Sequence, residues 1–204
     1  MNIRKRTANA TEAFQHAAAT IGTITPGFSL FGITRGQFSM VDIILACLDQ
    51  IGPARASLWT WCIAEYEVEC FTRLLIDSRL TSALLVIDSG ARGKNRELLK
   101  SWHRQHGPRS IRWVVNHAKV ATLESADYKL LIRGSMNLNY NPRFEQFDID
   151  DGHPGFDIVR RIEEELPVLE FDHTNTDARN ASSINKAFSN ERLAPFAVKR
   201  TWAK

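Results

Sequence analysis

The sequence predicts an α/β fold on a mixed, mainly parallel sheet, and three observations carry that expectation. Apolar runs of strand length alternate with longer runs of helical period. Turn-forming residues punctuate them, at Gly52, Ser89-Gly90 and Gly107-Pro108. An apolar fraction of 44% with five tryptophans in 204 residues is enough for a well-buried core. Strands that alternate with helices pair in parallel, and the helices then cover both faces of the sheet.

Residues 1–35 form an N-terminal segment of mixed Thr, Ala, Gly and Pro, with a short helix expected near Glu12 to Ala19. Ser39 is placed to cap the next helix, in which Val41, Ile44, Leu45 and Leu48 recur at helical spacing and Gly52 ends the run. ASLWTWCIA, 56–64, is a short aromatic-rich apolar run and reads as a buried strand, while 65–80 return to helical period. SALLVID, 82–88, is a strand, and Ser89-Gly90 open a loop. A second amphipathic helix spans Lys94 to Gln105 and closes at Gly107-Pro108. Residues 110–124 read as one strand, and Asp127 to Arg133 as its returning partner, with Ser125-Ala126 near the turn. Phe156 to Leu169 is a last helix with its acids exposed. The stretch 173–204 is a polar arm or tail, with a net +4 from Thr174 onward, which leaves 36–172 as the folded α/β domain.

Net charge is +3, which by itself identifies no partner, but the charges are unevenly placed. Between residues 92 and 119 lie Arg92, Lys94, Arg96, Lys100, Arg104, Arg109, Arg112 and Lys119 against the single acid Glu97. Residues 145–172 carry ten acids against Arg160 and Arg161. A basic zone of this kind suits a polyanion; it is equally the pattern of a solvated helix face followed by an unrelated acidic helix. Cys47, Cys62 and Cys70 form neither a CxxC nor a Cys/His ligand pattern, so they read as buried thiols in a reducing compartment. The start, MNIRKRTANATEAF, has basic residues but no apolar stretch behind them, unlike a secretory signal. No run approaches the roughly 20 apolar residues of a membrane span. The expectation is a soluble, cytoplasmic protein with no metal and no cofactor.

Reactive groups converge in one place, between His117 and Glu145. His117 and Lys119 stand two apart on the expected strand, so alternation sends both to one face. A turn, Gly134-Ser135-x-Asn137, follows, and then the carboxylate Glu145. Imidazole, with an unperturbed pKa of about 6.5, serves as nucleophile and as proton donor near neutrality. A lysine ammonium neutralises charge developing on phosphoryl oxygens. Glycine admits close backbone approach, and Ser and Asn add hydrogen bonds without bulk. A carboxylate on one imidazole nitrogen fixes the tautomer and leaves the other free to react. The spacing favours Asn137 over Asn139 and Asn141 in this role. Open sheets hold their sites beyond the strand carboxyl ends, so the loop after Asp88, with Arg92 and Lys94, belongs on the functional side as a substrate-backbone contact. His103 and His106 read as solvated or phosphate-near bystanders, His153 and His173 as surface residues in polar loops, and Trp59 and Trp61 as packing residues, with base stacking as their sharper alternative.

A His-x-Lys pair followed by Gly-Ser-x-Asn resembles the phospholipase D superfamily, in particular its small nuclease-like members with a single motif. The resemblance covers about 30 residues directly. It implies a three-layer α/β/α sandwich, a covalent phosphohistidine on His117, and Lys119 and Asn137 on the non-bridging phosphate oxygens. Ser135 would help orient the site, Gly134 would let the backbone approach the substrate, and Glu145 would orient the histidine. The family places an acid after its lysine; here a hairpin three residues longer than usual leaves two alternatives for that place, Glu124 by its spacing from Lys119 and Asp127 by its spacing from Gly134. Catalysis in the family uses two histidines across one phosphate, whereas this chain has one His-x-Lys. The resemblance therefore implies a homodimer with one site built from both copies.

The expected function is that of a metal-independent phosphodiesterase, an endonuclease acting on nucleic acid, DNA before RNA, with no membrane partner. Two rivals stand beside it. One is a phospholipase or phosphatidyltransferase of the same superfamily; the other is a catalytically degenerate protein that binds nucleic acid on the same fold.

Overall fold

The computed structural model describes residues 7–12, 16–88, 90, 92–140, 142–166 and 168, with only the backbone described for 7–12 and 92–94. The arm or tail expected at 173–204, His173, Ser89, Asn141 and the side chains of Arg92 and Lys94 lie outside the described residues. Thirteen elements follow in the order β1 (Thr7–Glu12), α1 (Ala17–Ile21), β2 (Phe28–Thr34), α2 (Met40–Ile51), β3 (Ala54–Thr60), α3 (Glu65–Ile76), β4 (Leu80–Asp88), α4 (Arg92–His106), β5 (Ile111–Val114), β6 (Val120–Glu124), β7 (Lys129–Gly134), β8 (Glu145–Asp151) and α5 (Gly155–Glu165). The strands form one sheet in the order β1-β2-β8-β7-β6-β3-β4-β5.

The sheet is mixed rather than mainly parallel. Parallel pairing joins β1 to β2, β3 to β4 and β4 to β5, but the four pairings β2–β8, β3–β6, β6–β7 and β7–β8 are antiparallel. The reason is local. Helices separate β3, β4 and β5, and a crossover returns the chain in the same direction, whereas β6 and β7 are joined by the four-residue turn Ser125–Tyr128, which reverses it. Residues 16–34, expected ahead of the domain, contribute α1 and β2, and Phe28 and Leu30 are buried in the core.

The strand expected over 110–124 is two strands. β5 ends at Val114 on the outer side of β4, and β6 begins at Val120 on the far side of β3. Residues 115–119 therefore cross the carboxyl ends of β4 and β3, and this crossing positions His117.

α2 matches its expected boundaries for the expected reason. Ser39 Oγ accepts from the Asp42 amide while the Asp42 carboxylate accepts from the Ser39 amide at 2.7 Å, a closed capping box, and Gly52 ends the helix at φ 77°. β4 divides its side chains between two apolar clusters. Leu85 and Ile87 join the large core with Val41 and Ile44 of α2, Phe71 of α3 and Trp102 of α4. Leu84 and Val86 point the other way and meet Val114, Trp59, Leu166 and Ile162 of α5.

Two expectations about helices change. The acids of α5 are not all exposed, because Glu163 is buried and accepts from Ser57 Oγ, from Trp59 Nε1 at 2.8 Å and from Arg160 Nη1 at 2.8 Å. Trp59 is thus held by packing and by this bond. His106 is no solvated bystander either. Its ring stacks on Trp102 at a centroid distance of 4.1 Å, and neither nitrogen has a hydrogen-bond partner among the described residues. Burial pushes its pKa down to about 4.

That shift has a direction in stability. The unfolded chain takes up a proton below about pH 6.5 and the folded one only near pH 4, so stability is lost as pH falls between those values. The loss should reach an order of 3 kcal/mol by about pH 4, and His106→Phe should remove this component. Urea denaturation of both proteins at pH 7 and pH 4.5 checks it; equal pH sensitivity in the variant would reject His106 as the cause.

Candidate active site

The crossing segment is pinned before it presents anything reactive. The Asn116 amide donates to Asp88 Oδ2 at 2.8 Å, at the end of β4, and Asp88 Oδ1 accepts from the Gly90 amide at 2.8 Å. Asn116 Nδ2 donates to the Thr60 carbonyl at 3.0 Å, at the end of β3, and its Oδ1 accepts from the Ala118 amide at 2.9 Å. Asn116 and Asp88 are both buried, so these bonds are shielded from water. The sequence reading did not single out either residue. The available signal was an Asn interrupting the apolar run before His117.

His117 is exposed, and Lys119 is buried to 9% of its free surface. Lys119 Nζ lies 3.2 Å from His117 Nδ1 and 3.4 Å from Nε2, and it donates to the His117 carbonyl at 2.7 Å. The pair therefore converges as expected, but by curling of a loop and not by strand alternation. The ammonium thus lies within hydrogen-bond distance of both ring nitrogens, and the imidazole tautomer sets which of them accepts. Burial pushes the Lys119 ammonium down from its usual range, with Cys62 and Glu145 opposing the shift. The same neighbourhood raises the Cys62 thiol, chiefly by burial, against the pull of Lys119.

The turn after β7 closes the other side. Gly134 donates its amide to the Lys119 carbonyl at 3.1 Å, and Ser135 exchanges backbone and side-chain bonds with Gln146 of β8. Ser135 Oγ donates to Glu145 Oε2. Within one chain, then, Glu145 is bonded to Ser135 and not to His117. Asn137 Oδ1 accepts from the Trp61 amide at 3.2 Å, which fixes the orientation of its side-chain amide and leaves Nδ2 unpaired among the described residues. Asn139 instead faces Cys62, whose sulfur lies 3.6 Å from its Oδ1. A small cleft lined by Phe38, Ser39, Met136, Asn137, Asn139 and Glu145 opens beside these groups. Larger clefts among the described residues lie elsewhere, one along α3 and another around Arg55, Arg109 and Arg112.

Not every expected residue arrives. β6 runs away from the site, so Glu124 and Asp127 sit at the far end of the β6–β7 hairpin, on the order of 15 Å off at about 3.3 Å per residue. Neither acid reaches His117 or Lys119. The backbone of Arg92 and Lys94 begins α4 just beyond the carboxyl end of β4, on the same edge of the sheet as His117. The basic zone is dispersed: Arg112 is buried and donates to the carbonyls of Leu166 and Arg109, while Lys100 pairs with Glu97 at 2.9 Å. Cys47 is buried, with its thiol pushed up to about 12 by desolvation, while Cys62 and Cys70 are half-buried.

Gly134 also has a structural reason, beside the expected approach to substrate. A Cβ there would stand 2.7 Å from the Gln146 carbonyl oxygen, which belongs to backbone that cannot step aside. Gly134→Ala should push β7 and β8 apart where Ser135 meets Glu145 and destabilise the fold by about 1–3 kcal/mol, the cost of forcing an extra methyl into a packed position. Chemical denaturation of the variant checks this; unchanged stability would show that the two strands tolerate a side chain there.

No model of a known protein family matches the chain, and no curated protein matches it either. Among the described residues, no helix is long and apolar enough to cross a membrane. No three His, Cys, Asp or Glu side chains among them converge as a metal site.

Proposed function

We propose that this chain is a small phosphodiesterase of the phospholipase D type, with a three-layer α/β/α architecture, that hydrolyses nucleic-acid phosphodiester bonds at a site shared by two copies. The observation that carries the reading is the contact of a buried lysine, its ammonium 3.2 Å away, with the ring of an exposed histidine. Apolar clusters on both faces of β4 support the architecture.

An unprotonated His117 nitrogen attacks phosphorus, forming the P–N bond as the P–O bond to the leaving strand breaks. Lys119 Nζ and Asn137 Nδ2 hold the non-bridging oxygens, where negative charge grows. The leaving oxygen takes a proton from the partner's His117. Water then gives a proton to that same imidazole and attacks phosphorus, and the P–N electron pair returns to His117. The twofold pairing follows from the single site: the other described histidines belong to the end of α4 (His103, His106), the start of α1 (His16) and the start of α5 (His153). Ser135 and Glu145 form a bonded pair beside the reacting groups, set to accept hydrogen bonds from the second copy.

The test is cleavage of a labelled DNA or RNA oligonucleotide in excess EDTA. Full activity in chelator is expected, because the chemistry uses imidazole and ammonium. Activity that appears only with added divalent metal would overturn the proposal.

A further inference from the structure

Four large apolar side chains stand exposed around the proposed site: Trp61 at 49%, Val115 at 68%, Tyr140 at 61% and Phe144 at 71%. They come from three loops on one edge of the sheet, those after β3, after β5 and after β7. An exposed ring on a loop normally folds back onto the surface, and here the loops are tied. The Trp61 amide is bonded to Asn137, and Tyr140 Oη donates to the Gly36 carbonyl at 3.2 Å. Gly36 in turn has the backbone of Pro142 and Arg143 pressed against it. The Trp61 ring lies 6.4 Å from that of His117. Cations stand beside one of these rings: the Arg35 guanidinium lies 5.8 Å from the Phe144 ring centre, and Arg143, next to Phe144 in the chain, is exposed.

Aromatic faces held in solvent next to arginines, around a centre that handles phosphodiesters, are the elements of a stacking platform. A base inside a duplex has both faces covered by its neighbours and offers none to a side chain. An unpaired base offers its face freely. Resting on the phosphodiesterase reading above, we infer that Trp61, Tyr140 and Phe144 stack bases flanking the bond to be cut, and that the substrate is single-stranded nucleic acid. Trp61 takes the base next to the phosphate, as its distance from His117 requires, and Phe144 with Arg35 takes one on the Glu145 side. A membrane-facing surface would present a contiguous apolar patch, whereas the exposed Phe144 ring has the exposed arginines Arg35 and Arg143 beside it.

Binding of one labelled oligonucleotide, alone and as its duplex, to the full chain tests the inference without needing turnover. The single strand should bind about tenfold more tightly than the duplex. Trp61→Ala and Phe144→Ala should each weaken single-strand binding by about tenfold and duplex binding by less than about twofold, and Trp61→Phe should restore most of the loss. Equal affinity for both forms, untouched by either variant, would overturn the platform. So would loss of binding to phosphatidylglycerol vesicles in the variants without loss of oligonucleotide binding, or conversion of Trp61→Ala from dimer to monomer. Single-strand binding without EDTA-resistant cleavage would reject the catalytic reading alone. Cleavage with no strand preference in binding would reject the platform alone.

Discussion

On the proposed mechanism His117→Ala should abolish cleavage, lowering turnover by about a thousandfold or more, because it removes the proposed nucleophile. The fold should not notice. His117 is exposed and its ring makes no bond that holds an element, so stability should change by less than about 0.5 kcal/mol. Lys119→Met separates the two members of the pair. It removes the cation that would hold phosphate oxygens and should cost about a hundredfold in turnover. It also relieves a burial penalty, since the ammonium is held below its usual pKa by desolvation. Oligonucleotide cleavage kinetics beside thermal unfolding reads both effects. A His117→Ala protein within tenfold of the wild-type rate would end the account of His117 as nucleophile.

Glu163→Ala should be the most destabilising single change, on the order of 3–5 kcal/mol, because it strands a buried charge. The carboxylate is 2% exposed and accepts from Ser57 Oγ, Trp59 Nε1 and Arg160 Nη1. Its removal leaves the Arg160 guanidinium, itself only 11% exposed, unpaired against the sheet, with an indole N–H and a hydroxyl orphaned as well. Ser57 and Trp59 belong to β3, whose carboxyl end carries Thr60 and Trp61, so loosening α5 reaches the site through that strand. Arg160→Leu combined with Glu163→Leu should recover much of the loss by removing both charges. Chemical denaturation measures all three proteins; a loss below about 1 kcal/mol for Glu163→Ala would show that the network is not what holds α5.

What could be read from the sequence depended on whether the signal was local. α2 was legible because Ser39, the 3.6-residue recurrence of Val41, Ile44 and Leu48, and Gly52 all lie within fifteen residues of one another. β8 was not, because EQFDIDD offers only Phe147 and Ile149 as apolar residues, and its acids act as structural acceptors. Asp150 receives Ser29 Oγ and Arg133, and Asp151 receives the Gly27 and Lys129 amides. The missed break at Val115 has the same origin. Apolar residues continue across it, and nothing in an alternating run says that a strand has changed neighbours. Glu163 could have been found, since it lies seven residues after buried Phe156 and so on the same helix face. In the site, the closeness of His117 and Lys119 was legible from their spacing, although the loop that produces it was not. The bond between Ser135 and Glu145 depends on the pairing of β7 with β8, and the remoteness of Glu124 and Asp127 depends on the direction of β6.

The central claim is that His117 becomes covalently bonded to phosphorus, and stereochemistry at phosphorus tests it most directly. Each in-line displacement inverts the centre, so attack by His117 followed by attack of water gives overall retention. A chiral phosphorothioate substrate cleaved in isotopically labelled water should therefore yield product of retained configuration. Clean inversion would mean that water attacks once and directly, and would contradict a phosphohistidine on His117.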